Sequence, residues 1–307
     1  VNEDDVPFTT QALLDKGAER TGLLQDDLLR IAAKSAMVRH VARHPVYGPQ
    51  FVLKGGTLLH HVYHSKRMSI ADADYTYVDR TELTVPKIEE AFKIDGAGGF
   101  FLFPEQEAWP AGNEIFDGRK VPWRIEIRDL ASDATVDTMH ISISIRKGER
   151  IDIPKQQLYY SDPLLNGDDF FEVNGLTLEE LAAEKLLGWC SKAMPKHAID
   201  LAYIARDKSD ELDTARVTEL VLKKYAVESG SPRYSDAGIR NQVDLHEAIA
   251  GDALEAAADD WVNVIQNDLR FTTIEGLRPF EQRLTNFERV EDFLREFWTP
   301  RLIGLRG

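Results

Sequence analysis

Asp72 and Asp74, two carboxylates on alternate residues, follow the glycine pair Gly55-Gly56 by about the length of one helix. On a strand, residues i and i+2 point to one face, so these two side chains can share a hard divalent cation through their oxygens. Glycines at a turn let the backbone come close to a triphosphate, and N–H groups at a helix start can hold its oxygens. Together these groups suit a displacement at a nucleoside triphosphate (NTP), with Mg²⁺ bridging the triphosphate and an attacking hydroxyl.

Neighbouring residues extend the pattern. Lys54 precedes the glycines and Thr57 adds a small polar group after them, while Lys66 and Arg67 stand ahead of the acids, where they can neutralise a phosphate or an RNA backbone. Ser69 either orients the acid strand or starts it. His60, His61 and His64 resemble a ligand cluster, but His60 and His64 are merely i,i+4 on a short helix with no third ligand marked, which argues against zinc. Further along, Lys185 lies in an apolar helix, where an ammonium must be solvated or paired. It is a candidate phosphate ligand, and its plainer reading is a pair with Glu180 or Glu184. Asp200 occupies another apolar helix and needs a cation, a basic neighbour or a hydroxyl proton to accept.

Periodicity places these residues on elements. A helix is expected from Thr9-Thr10 to about Arg20, and another from Gln25 to Arg43, with Leu24, Leu28, Ile31 and Val38 on one face and His44-Pro45 as its end. Phe51-Val52-Leu53 reads as a strand into the glycine turn, Leu58–His64 as helix, Ile70–Val78 as the acid strand and Pro86–Phe92 as helix. The glycine-rich run from Asp95 to Gly99 closes that helix. Clean alternation marks strands around Trp123, Ile125 and Ile127 and around Ile141, Ile143 and Ile145, and Lys147-Gly148 reads as a hairpin turn into Ile151-Asp152-Ile153. From Thr177 onward the signals are helical, including segments at 244–254 and 261–267 and a last amphipathic helix before Pro300. The expected organisation is an α+β domain over 1–167 and a helical domain over 168–307, with the site in a cleft between them.

The 307 residues carry 43% hydrophobic side chains, enough for a sizeable core, and a formal charge of −15 that gives no global basic footprint for nucleic acid. Any RNA contact must be local, drawn from Lys54, Lys66, Arg67, Lys185, Lys192 and Lys196. The single cysteine, Cys190, excludes an intramolecular disulfide and a cysteine-rich zinc site and reads as a small core residue. The five tryptophans are too scattered for a base-stacking platform. No stretch approaches the ~20 apolar residues of a membrane span, and the acidic start Val1-Asn2-Glu3-Asp4-Asp5 is the reverse of a basic signal-peptide n-region, so a cytoplasmic location is expected.

Gly55-Gly56, one helix, then Asp72-x-Asp74 is the order found in polymerase-β-like nucleotidyltransferases. Phe51–Thr57, Arg67-Met68-Ser69 with the two acids, Glu184-Lys185-Leu186 and the Asp200-Leu201 helix together resemble the AbiEii family of nucleotidyltransferase toxins, MenT enzymes included, over roughly residues 50–205. The resemblance implies a polymerase-β-like domain with a C-terminal helical domain, and the toxin half of a type IV toxin–antitoxin pair with a cognate antitoxin. It further implies Mg²⁺-dependent transfer from NTP to RNA, at the tRNA 3′ end. By the same resemblance, Asp72 and Asp74 hold metal, Lys185 contacts phosphate and Asp200 acts in catalysis. The nucleotide-binding set is Lys54, Gly55, Gly56, Thr57, Arg67, Ser69 and Lys185.

The chain departs from the family in three places. Ala71 adds a residue between Ser69 and Asp72, and Lys196-His197 stands where an Arg-Asp or Lys-Asp pair often precedes the helix aspartate. A third acid implied on a central strand has no clear counterpart, because His140, Ser142 and Ser144 take the polar positions; Glu126, Glu149 and Asp152 remain as alternatives. Two other functions stay open, a small-molecule (antibiotic) nucleotidyltransferase and a non-catalytic module that binds nucleotide or a partner.

Overall fold

The computed structural model describes residues 11–21, 23–65, 72–79, 83–95, 100–105, 121–129, 135–145, 155–162, 166–192, 195–228 and 294–298. The chain divides into two compact units, Val1–Glu149 with Lys155–Leu176, and Arg150–Pro154 with Thr177–Gly307.

The first unit contains α1 (Gln11–Thr21), α2 (Gln25–Arg43), β1 (Phe51–Lys54), α3 (Gly55–His61), β2 (Asp72–Tyr77) and α4 (Val85–Phe92). It continues through β3 (Ile94–Asp95), β4 (Phe100–Glu105), β5 (Val121–Asp129), β6 (Thr135–Ile145), β7 (Lys155–Asp162) and β8 (Asn166–Leu176). Among the described residues, eight strands form one mixed sheet in the order β3-β4-β5-β6-β2-β1-β8-β7. β2 runs antiparallel to β1 and parallel to β6, and β1 runs parallel to β8. The two acids thus lie on an inner strand. Behind it, Phe51 packs 5.1 Å from both Tyr77 and Phe92, and Tyr75 packs 5.3 Å from Phe92, giving β1, β2 and α4 a shared aromatic core.

α2 has the expected bounds. Asp26 and Asp27 sit in its first turn and Arg43 in its last, each complementing the helix dipole. Pro45 disfavours helical geometry at His44, which is extended, and His44 Nδ1 accepts the Tyr47 N–H at 3.1 Å. The expected apolar face was too narrow, however. Residues 31–38 are all buried, Lys34 and Ser35 included, while Leu24 is 71% exposed, because the helix is covered on several sides rather than resting on one.

Strands β7 and β8 carry too weak an alternation to stand out in the sequence. β8 reaches β1 at the Leu53–Gly175 register, where a Cβ on Gly175 would come within 2.7 Å of a Leu58 methyl and 2.8 Å of a Leu158 methyl. The close approach therefore depends on glycine.

The far end of α3 is held by histidines. His60 Nδ1 lies 2.5 Å from the Ser65 carbonyl and His61 Nδ1 3.0 Å from that of Ser161. His61 also stacks on Tyr160 at 4.5 Å, and the Tyr160 hydroxyl is hydrogen-bonded to Ser35 at 3.1 Å. These rings anchor a helix. Burial, reinforced by the charges of Lys34, His60 and His64 against the opposing Ser161 hydrogen bond, holds His61 well below the usual histidine range. The folded protein keeps it neutral, whereas the unfolded chain protonates it below about pH 6.5. Its contribution is complete above that pH and declines as pH falls from there toward the folded value, by up to ~1.4 kcal/mol per pH unit. Burial lowers His40 in the same sense, with His44 adding to it. In urea titrations, wild type should lose stability between pH 7.5 and 5.5, and His61→Gln should be weaker at pH 7.5 but decline less. An equal decline in both proteins would remove His61 from the account.

The second unit contains α5 (Leu178–Lys192), α6 (Pro195–Asp207) and α7 (Thr214–Glu228), with a 3-10 turn at Ser209–Glu211 and a π-helical turn at Leu294–Trp298. Thr177 Oγ1 accepts the Glu180 N–H at 3.3 Å and starts α5, and the Trp298 indole donates to the Leu201 carbonyl at 3.1 Å. The hairpin expected at Lys147-Gly148, strand Ile151–Ile153 and the helices expected beyond 228, apart from the turn at Leu294–Trp298, lie outside the described residues. Among the described residues, no helix is long and apolar enough to cross a membrane.

Candidate active site

Lys54 closes β1 in extended geometry and the chain turns at Gly55, whose φ of +71° belongs to the left-handed region. A Cβ at Gly55 would stand 2.4 Å from Asp74 Oδ2, so the turn and the acid strand meet with only a hydrogen's room between them. Gly56 follows inside α3 and is buried. Thr57, also buried, donates its hydroxyl to the Asp72 carbonyl at 2.6 Å, which ties the first turn of α3 to the start of β2. The glycine pair and the acid pair, separate features in the sequence, form one constellation.

Asp72 and Asp74 are half-buried, while Ala73 and Tyr75 between and beyond them are fully buried, so the two carboxylates share the face away from the aromatic core. Lys54 on β1 pairs in register with Asp74, and on the other flank β6 sets His140 beside Asp72 and Ser142 beside Asp74. Glu126, one alternative third acid, pairs with Thr138 instead. Glu149 and Asp152 lie outside the described residues, as do Lys66, Arg67 and Ser69.

In the second unit, Lys185 Nζ lies 2.6 Å from Asp200 Oδ2, with both side chains buried. Each satisfies the need that its apolar helix creates. Glu180 and Glu184, the sequence candidates for pairing with Lys185, instead face Lys224 of α7. Sequence reasoning missed Lys224, although a lysine at the fourth place of the apolar series Val217, Leu220, Val221 was the available signal. One turn from the Lys185–Asp200 pair, Gly188 meets the His197 ring, which an added Cβ would approach to 2.9 Å. α5 and α6 are therefore in close contact there.

The described residues include no group of three or more histidine, cysteine or acidic side chains able to hold a metal ion. Two aspartates on one strand face nevertheless fit a hard cation such as Mg²⁺, which typically takes one or two carboxylates and completes its shell with water and phosphate oxygens. Asp72 and Asp74 are the residues that would hold it.

A family model described as nucleotidyl transferase AbiEii toxin, type IV toxin–antitoxin system, matches residues 36–293. The chain belongs to the AbiEii family. Among solved structures, this AbiEii protein is similar to MenT4, a nucleotidyltransferase toxin from Mycobacterium tuberculosis, with a TM-score of 0.62 at 18% identity. The match covers 97% of this chain and 94% of MenT4, and at that identity the likeness speaks to the fold, an α+β nucleotidyltransferase domain with a C-terminal helical domain. No curated protein sequence matches the chain. Membership makes the AbiEii chain a nucleotidyltransferase toxin of the type IV class, with a nucleotide substrate and a cognate antitoxin.

Proposed function

We propose that this AbiEii toxin transfers a nucleoside monophosphate from an NTP to a hydroxyl of RNA, at the tRNA 3′ end. The observation that supports this most is the contact between Gly55 and Asp74, a glycine turn of the kind that suits phosphate set against a carboxylate of the kind that suits a hard cation. Asp72 and Asp74 would hold Mg²⁺, which would supply charge neutralisation for the triphosphate and the attacking oxygen. Lys54, Gly55, Gly56 and Lys185 hold phosphate oxygens, with Arg67 and Ser69 nearby in the chain. Asp200 positions the acceptor hydroxyl and takes its proton as the new oxygen–phosphorus bond forms, the bond between the α-phosphorus and its bridging oxygen breaks, and pyrophosphate departs. The toxin acts in the cytoplasm, where both substrates are found.

The net charge of −15 confines RNA binding to a few local cations. Affinity should then depend on salt with a slope set by few phosphates. Labelled triphosphates offered to deacylated tRNA at rising salt should give transfer that is strongest at low salt and weakened by reversing Lys66 and Arg67 to glutamate. Labelling of a small amine acceptor, with none of RNA at any salt, would move the assignment to antibiotic modification. Metal-dependent pyrophosphate release separates both from a non-catalytic module.

A further inference from the structure

Around the acid strand the sheet runs β1, β2, β6, and its two flanks differ chemically. On the β1 flank stand Lys54, in register with Asp74, and the Gly55 turn that touches the Asp74 carboxylate. On the β6 flank, His140 is in register with Asp72 and Ser142 with Asp74, and register partners on adjacent strands share a face. The alternation of burial agrees: Ile141 and Ile143 are buried, Ser142 is intermediate and His140 is exposed. Along β2 the same face closes at Thr76, which is fully buried, and opens toward Asp72. The open end of the acid row is thus bordered by an imidazole.

We propose that His140 is an acceptor-side residue, binding the attacking substrate beside Asp72 without serving as a metal ligand. The proposal rests on the nucleotidyl-transfer reading above. In an in-line displacement the leaving pyrophosphate and the attacking oxygen occupy opposite sides of the transferred phosphorus. With the triphosphate's leaving end held at the glycine turn on the β1 flank, the attacking group enters from the β6 flank. An imidazole there can accept a hydrogen bond from a hydroxyl or donate one to a phosphate oxygen. No third potential ligand converges with the two aspartates among the described residues, which leaves the ring to the substrate.

Mn²⁺ binding without nucleotide, followed by electron paramagnetic resonance, separates the two roles for the ring. Asp72→Asn should lose the ion, while His140→Ala should bind it within about twofold of wild type. With deacylated tRNA as the acceptor probe, His140→Ala should raise the KM for tRNA about tenfold and leave the triphosphate KM unchanged, with His140→Gln partly restoring the former. Loss of Mn²⁺ in His140→Ala comparable with that in Asp72→Asn would make the ring a ligand and overturn the proposal. So would a raised triphosphate KM at normal tRNA KM, or no change in either constant. If wild-type protein transfers no nucleotide to any acceptor, the nucleotidyl-transfer reading itself fails, a result visible before any His140 variant is made.

Discussion

Replacing both Asp72 and Asp74 by alanine should reduce nucleotide transfer by a thousandfold or more while leaving the protein folded. Cation stabilisation of the displacement is worth several kcal/mol, and about 4 kcal/mol corresponds to roughly that factor in rate. Both carboxylates are half-buried at the start of β2, and the aromatic core is built from Tyr75, Tyr77, Phe51 and Phe92 on the opposite face. The double variant should therefore stay folded, with any change in melting temperature small beside the loss of transfer. Circular dichroism melts and a pyrophosphate-release assay on the same preparation check both halves. Wild-type turnover by the folded double variant would falsify the metal assignment.

At Lys185, stability and activity should fall together, and a second substitution should separate them. Lys185 and Asp200 form a buried pair at 2.6 Å, so Lys185→Met takes the cation away from a fully buried carboxylate. Breaking such a pair from one side costs about 3–5 kcal/mol, whereas replacing both partners by apolar groups of similar volume is often neutral. Lys185→Met alone should therefore unfold at markedly lower denaturant. Lys185→Met with Asp200→Leu should recover most of that loss and still transfer no nucleotide. If the double variant regains activity along with stability, the pair is structural, and the phosphate and acceptor roles pass to other residues.

Much of the site was legible because its parts are local. A glycine turn after an apolar strand, a short helix and two acids at strand spacing each state their geometry over a few residues, and the bounds of α2 follow from Pro45 and from charges near its ends. Lys185 and Asp200 also declared themselves, as charged groups on apolar helices whose burial demanded partners. Which partner each would take was not legible. Glu180 and Glu184 were nearer in sequence to Lys185, but a buried ion pair needs two groups that packing brings within a few ångströms, and the packing of α5 gave those glutamates to Lys224 and Asp200 to Lys185.

The glycine turn, the spacing of the acids and the need of each apolar-helix charge for a counterpart are readable along the chain, because these depend on backbone periodicity and on the desolvation of single groups. That Gly55 touches Asp74, that His140 stands beside Asp72, and that β8 lies parallel to β1 through Gly175 emerges only from the assembled sheet. Strand order and register join residues far apart in the chain. They are chosen by which faces can be buried together, and that is a property of the whole packed sheet rather than of any window along the sequence.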